Sequence, residues 1–158
     1  MAAMQDETRF IIDELRRRGQ SLAVAESLTG GGLGAAITAI QGSSDVFSGG
    51  VIAYQVSMKT DLLHLPNSLI EEFGVVSEEV AVAMAESVRA LSGTTWAIAT
   101  TGVAGPGAAD GVAAGTVWIA IRGPISQSTA LEIQGDREDV RNASVSSAIA
   151  AFARILAS

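Results

Sequence analysis

No cysteine occurs in this sequence, so disulfides, thiol nucleophiles and zinc–thiolate sites are all excluded. A single histidine, His64, leaves too few imidazoles for a His-rich metal site. It sits among leucines in residues 61–66, a packing or surface setting, and a Ser-His-Asp triad is recognised by geometry that a lone histidine does not supply. Positive charge is also scarce. Ten Lys and Arg face 17 Asp and Glu, the net charge is -7, and the only basic run is Arg16–Arg18. That balance argues against nucleic acid as a partner. The first ten residues lack a cationic segment followed by an apolar core, so no signal peptide is expected. No apolar run reaches the roughly 20 residues of a membrane span, so no membrane partner is expected and the location is read as cytoplasmic. Neither a G-x-S-x-G elbow nor a G-x-x-x-x-G-K-[ST] loop is present.

What the chain has in quantity is small apolar residues. Hydrophobic residues make up 48%, aromatics only 4%, and alanine and glycine supply much of the rest. Such a composition suits helices packed closely on a sheet. At 158 residues the chain reads as one domain, 1–158, able to bury a core without staples. The alanine-rich helices leave room for a homo-oligomer, and one is expected.

Periodicity and punctuation give the elements. Residues 5–18 read as an amphipathic helix stopped at Gly19, with the three arginines in its last turn, where positive charge suits the helix dipole. Residues 21–26 read as a strand, followed by the glycine-rich turn 30–34 and a helix over 35–40. The second strand reads as 51–54, with a start as early as Ser48. Short helical segments follow at 59–65 and 67–73. Ser77 caps a long helix over 78–91. Residues 95–101 and 115–121 read as strands separated by a glycine-rich loop, 127–134 as a fifth strand, and Asp136 as the cap of a final helix, 137–156. This order implies a three-layer α/β/α sandwich with a mixed, mostly parallel five-stranded sheet. The short link 122–126 implies a hairpin, so one strand is expected to be antiparallel.

Strand, glycine turn and helix at 21–40 form a setting in which backbone N–H groups can face an anion. Gly30, Gly32 and Ala35 fit a loose G-x-G-x-x-A spacing. The dinucleotide fingerprint also needs an acid about 20 residues on, after the second strand, and Ile52-Ala53-Tyr54 offers none. A nicotinamide-dependent oxidoreductase is set aside on that ground, and no cofactor is expected.

Lys59 is the only lysine in the chain. With thiols and a credible histidine base removed, hydroxyl plus lysine is the remaining nucleophile–base pair. A serine is a poor nucleophile unless a base takes its proton. A lysine can be that base if burial brings its pKa down from about 10.4. Ser44, in the Gly-Ser-Ser turn ahead of the second strand, is one candidate nucleophile, and Ser27 is its rival.

Four blocks make the chain resemble the C-terminal domain of the competence/damage-inducible CinA proteins, the nicotinamide-nucleotide amidohydrolase (NMN deamidase) family. They are AESLTGG at 25–31, GSSDVFSGGVIAYQVSMK at 42–59, GVVSEEVAVAMAE at 74–86, and TGVAGPG with GTVWIAI within 101–121. GDREDVR at 135–141 is a fifth, weaker block. The resemblance implies a mixed-sheet α/β/α fold and hydrolysis of the carboxamide of nicotinamide mononucleotide to nicotinate mononucleotide and ammonia, a step in pyridine nucleotide salvage. It implies a Ser/Lys dyad of Ser44 and Lys59, with Tyr54 beside it and an acyl-enzyme between two half-reactions. It places Glu26, Ser27, Thr29, Gly30, Gly31, Thr101, Gly102, Arg137 and Arg141 at substrate-binding positions. Arg137 or Arg141, or the N–H groups at the glycine-rich helix start, would hold the 5′-phosphate, and the turns at Gly30–Gly31 or Gly102–Gly105 would offer oxyanion donors.

Three departures stand out. The family's usual cysteine in the first block is Leu28, its Y-S-N-E-A-K keeps only Tyr54 and Lys59, and the loop before GTV is shortened, with Ala113-Ala114 in place of Lys-Pro. The larger N-terminal domain is missing from the match, so the chain reads as a stand-alone version. The altered loop motivates a second reading, a catalytically silent nucleotide-binding module of the same fold.

Overall fold

The computed structural model describes residues 2–158. Six helices flank one five-stranded sheet. In chain order they are α1 (Ala2–Arg18), β1 (Leu22–Glu26), α2 (Gly32–Thr38), a 3-10 turn (Ser43–Asp45), β2 (Phe47–Ile52), α3 (Val56–Asp61), α4 (Asn67–Phe73), α5 (Glu78–Ser92), β3 (Trp96–Gly102), β4 (Thr116–Arg122), β5 (Gln127–Glu132) and α6 (Arg137–Ala157). The strand order is β2-β1-β3-β4-β5. β1 pairs in parallel with β2 and β3, whereas β4 runs antiparallel to both β3 and β5. Four strands therefore point one way and β4 alone is reversed, as the hairpin link predicts.

The two central strands explain the composition. All five residues of β1 are buried, as are the first six of β3, so these strands need apolar or small residues on both faces. On one face Leu22, Val24, Trp96 and Ile98 meet Ile12 and Leu15 of α1, Leu33 and Ile37 of α2, and Ile149 and Phe152 of α6. Trp96 and Phe152 pack edge to face at 5.2 Å between ring centroids. On the other face Ala23, Ala25, Ala97 and Ala99 lie under Val80, Met84 and Val88 of α5, with Leu63 and Leu65 closing the side. Alanine in the strands lets α5 approach closely.

Helix ends follow local chemistry. The Ser77 hydroxyl accepts from Val80 N at 3.2 Å, and Gly93, at φ 69°, closes α5. Asp136 and Asp139 form a reciprocal capping box at the start of α6. The arginine run of α1 is spent on ion pairs with Asp13, Glu14 and Asp45.

Several boundaries differ from the sequence expectation, among them the start of α1, at Ala2 and not at 5. α2 begins at Gly32 and not at 35, because the Glu26 carboxylate accepts from Leu33 N at 2.8 Å and Gly34 N at 2.9 Å and so starts the helix earlier. β2 begins at Phe47 and ends at Ile52, which leaves Tyr54 outside it. The Gly49-Gly50 pair in β2 serves a close approach: a Cβ on Gly50 would sit 2.5 Å from Val24 Cγ2 and 2.7 Å from Val24 O. α3 starts earlier than expected, at Val56.

The β3–β4 loop spans residues 103–115. Its base is tied by Val103 N to Thr116 O at 2.9 Å and Gly115 N to Val103 O at 2.8 Å. Its outer part makes a small ladder between Ala109 and Val112 around Asp110 and Gly111, both with positive φ.

The topology locates the crevice. From β1 the chain passes through α2, on the α6 face, to β2. It then returns through α5, on the other face, to β3. β1 therefore lies at a switch point, where α/β sheets place their ligands beyond the carboxyl ends of the strands. No helix among the described residues is long and apolar enough to cross a membrane.

Candidate active site

Ser27 is the first residue past the end of β1. Its N–H donates to Thr100 O of β3 at 3.0 Å, and the neighbouring Thr29 and Thr100 hydroxyls are 2.8 Å apart. The turn that follows is held from within. Gly30 N donates to Ser27 O at 3.1 Å and Gly32 N to Thr29 O at 2.9 Å. Gly30 and Gly31 adopt φ of 58° and 98°, a region open to glycine at little cost.

Lys59 lies in α3 with its side chain directed inward, and it is fully buried. Its Nζ is 2.9 Å from Ser27 Oγ, 2.7 Å from Ala53 O and 3.2 Å from Tyr54 O. No salt bridge reaches it among the described residues. Burial therefore acts alone, and it lowers the ammonium from its ordinary 10.5 to about 8. An amine with three oxygen neighbours and a pKa near neutrality can exist as the neutral base, with two N–H bonds on the carbonyls and its lone pair toward the hydroxyl.

This shift has a thermodynamic counterpart. Between pH 8 and 10.5 the unfolded chain holds a proton that the folded chain has released, so stability rises with pH across that window. The two pKa values predict a gain of about 2 kcal/mol from pH 7.5 to pH 10. Lys59→Met should lose that component. Urea denaturation of both proteins at the two pH values measures it, and equal pH dependence would show that Lys59 is not depressed. With no other lysine and no cysteine, few groups titrate in the same window.

The serine expected from the Gly-Ser-Ser turn does not meet this lysine. Ser44 is exposed in the 3-10 turn before β2. β2 begins opposite Leu22, at the start of β1, and ends opposite Glu26. A strand of six residues, on the order of 20 Å long, thus lies between Ser44 and the end of the sheet where Lys59 sits. Ser27, not Ser44, is the serine beside Lys59, because it follows the end of β1, whereas the turn that opens β2 lies at the other end of the sheet.

The other predicted residues fall into two groups. Tyr54, Thr29, Arg137 and Arg141 gather around the crevice. Arg137 donates to Gly105 O at 2.6 Å and to the Tyr54 hydroxyl at 2.8 Å, and so links three segments above the serine. Arg141 donates to Leu28 O at 3.2 Å and Thr29 O at 3.3 Å. Neither arginine forms an ion pair among the described residues. Both line a cavity of about 350 Å³ with Thr29, Glu138, Asn142 and Val145.

Glu26, Thr101 and Gly102 are instead engaged by the fold. Glu26 is occupied by the start of α2, as described above. Thr101 Oγ1 donates to Val75 O at 2.9 Å. Gly102 packs against β4 so tightly that a Cβ would lie 2.7 Å from Thr116 O. Thr100 was not anticipated, and its only sequence signal is a hydroxyl at the end of a buried strand. The N–H groups of Leu28 and Thr29 have no acceptor among the described residues, whereas that of Gly30, an expected oxyanion donor, is taken by Ser27 O.

The chain is similar to known proteins along nearly its whole length. Residues 4–156 match the family model described as the CinA C-terminal domain. A CinA-like protein of Synechococcus sp. (strain RCC307) is 50% identical over 143 residues, covering 88% of this chain and 34% of the relative. A putative competence-damage inducible protein of Limosilactobacillus reuteri (strain DSM 20016) is 40% identical, covering 87% of this chain and 34% of the relative. The chain thus spans about a third of the length of these curated relatives. Among solved structures, a competence or damage-inducible protein from Enterobacter asburiae superposes with a TM-score of 0.94 at 30% identity, covering 97% of this chain and 98% of that one.

Proposed function

The chain belongs to the CinA C-terminal domain family, and from that premise we propose that it is a Ser/Lys amidohydrolase that converts nicotinamide mononucleotide and water to nicotinate mononucleotide and ammonia. The observation that carries the reading is a buried lysine, unpaired with any carboxylate among the described residues, 2.9 Å from the hydroxyl of Ser27. Neutral Lys59 takes the Ser27 proton as Oγ attacks the amide carbon. The resulting ammonium has three acceptors in place. It then returns a proton to the departing nitrogen, which leaves as ammonia. Water, with its proton passed to the same amine, hydrolyses the acyl-Ser27 ester and restores the dyad. The free N–H groups of Leu28 and Thr29 are suited to the developing oxyanion, since the residue after a nucleophile commonly supplies such a donor.

Substrate recognition rests on Arg137, Arg141 and Tyr54. The two arginines without ion-pair partners, at a cavity large enough for a phosphate, suit the 5′-phosphate. Tyr54, half exposed and fixed through Arg137, offers a ring face to the nicotinamide. Purified protein with nicotinamide mononucleotide should release ammonia stoichiometrically with nicotinate mononucleotide, read by a coupled ammonia assay and chromatography. Binding of the nucleotide without ammonia would replace this reading with that of a silent binding module.

A further inference from the structure

Arg141 stands apart in the cavity wall because both of its hydrogen bonds go to the turn that follows Ser27. Its Nε and one Nη donate to the carbonyl oxygens of Leu28 and Thr29, one and two residues after Ser27 and more than 110 residues away in sequence. A Cβ built on Gly30 would lie 3.4 Å from the same guanidinium, so the side chain lies flat along the turn. A planar fork on two successive carbonyls fixes orientation as well as position.

Peptide planarity carries the consequence to the next group. In a trans peptide the C=O of one residue and the N–H of the next point in opposite directions. Holding Leu28 C=O toward α6 therefore turns Thr29 N–H away from α6. That N–H is one of the two donors beside Ser27 with no acceptor among the described residues. The preceding peptide is held independently, because Ser27 O accepts from Gly30 N. Without Arg141, Leu28 O would have no partner among the described residues, and the Leu28–Thr29 peptide would be free to rotate.

We propose that Arg141 is a positioning residue that sets the Leu28–Thr29 peptide from α6 and so aims the Thr29 N–H at the oxyanion formed on Ser27. This rests on Ser27 being the nucleophile. Its remaining N–H groups border the same cavity, so an anion bound there and the peptide beside the nucleophile share one side chain. Arg137, which contacts Gly105 and Tyr54 and not the Ser27 turn, has no such link.

The test compares wild type with Arg141→Lys, which keeps the charge and loses the fork, and Arg141→Ala. The first readout is the rate at which a small uncharged fluorophosphonate labels Ser27, located by peptide mass spectrometry. That reaction needs the nucleophile and the oxyanion donor but no nucleotide recognition. Labelling should slow at least tenfold in both variants, with thermal midpoints near wild type, and added guanidinium should restore part of the rate in Arg141→Ala. In turnover of nicotinamide mononucleotide, kcat of Arg141→Lys should fall by roughly a hundredfold, the scale of a lost oxyanion donor, with KM changed far less. Unchanged labelling in folded Arg141→Lys overturns the proposal, as does a raised KM at constant kcat, which would make Arg141 a substrate ligand only. Normal labelling of wild-type Ser27 without ammonia release would sink the substrate reading alone, and the labelling comparison would still decide the role of Arg141. No labelling of wild-type Ser27 overturns both.

Discussion

Ser27→Ala is expected to lower ammonia release from nicotinamide mononucleotide by at least about a thousandfold, the scale on which losing an activated nucleophile removes covalent catalysis. Ser44→Ala should leave turnover within about twofold of wild type. The two serines separate because the sheet separates them: Ser27 follows the end of β1 at 2.9 Å from the buried amine, and Ser44 precedes β2 at the far end, exposed. Ser27→Ala removes one hydrogen bond and leaves the two carbonyl acceptors of Lys59 in place. Its stability should change by about 1 kcal/mol, so lost activity will not reflect lost fold. Steady-state assays and thermal melts on the two variants are sufficient. Activity retained in Ser27→Ala and lost in Ser44→Ala would falsify the assignment.

Lys59→Met should be as inactive as Ser27→Ala, and Lys59→Arg should not rescue it, since a guanidinium stays protonated and cannot act as the base. In the proposed mechanism the working form of Lys59 is neutral. With a pKa of about 8, about one molecule in ten carries the free amine at pH 7 and about nine in ten at pH 9. kcat/KM should therefore rise about tenfold over that interval and level off above it. The substrate phosphate titrates near pH 6 and lies outside the window. A profile flat from pH 6 to 10 would remove lysine as the base. Because the chain holds a single lysine, the Nζ resonance can be assigned without mutagenesis and its titration compared directly with the rate profile.

Much of the fold was legible because its signals are local. Ser77 and Asp136 mark helix starts by their side-chain chemistry, and Asn67–Phe73 is bounded by Pro66 and Gly74. The Gly123-Pro124 link marks the hairpin that reverses β4. The start of α2 was not legible, because the Glu26 carboxylate, six residues before it, sets it through hydrogen bonds seven and eight residues along the chain. Lys59 was found by inventory, as the last available base. Its partner stood only as the rival, because the resemblance assigned the serine to the Gly-Ser-Ser block, whereas the contact depends on which end of a parallel strand each residue occupies. A one-dimensional pattern records order along the chain but not the direction in which a strand leads away from the site.

The tied base of the β3–β4 loop separates two properties that usually change together. The hydrogen bonds among Val103, Gly115 and Thr116 close the loop at its stem, and the small Ala109–Val112 ladder organises its tip independently. Residues can be added or removed between stem and tip without shifting the register of a single strand. The loop also reaches the crevice, through Gly105 and Arg137. It is therefore an exchangeable part. Evolution or design can vary what borders the crevice by trading loop lengths, while the sheet, the lysine and the serine inherit unchanged coordinates.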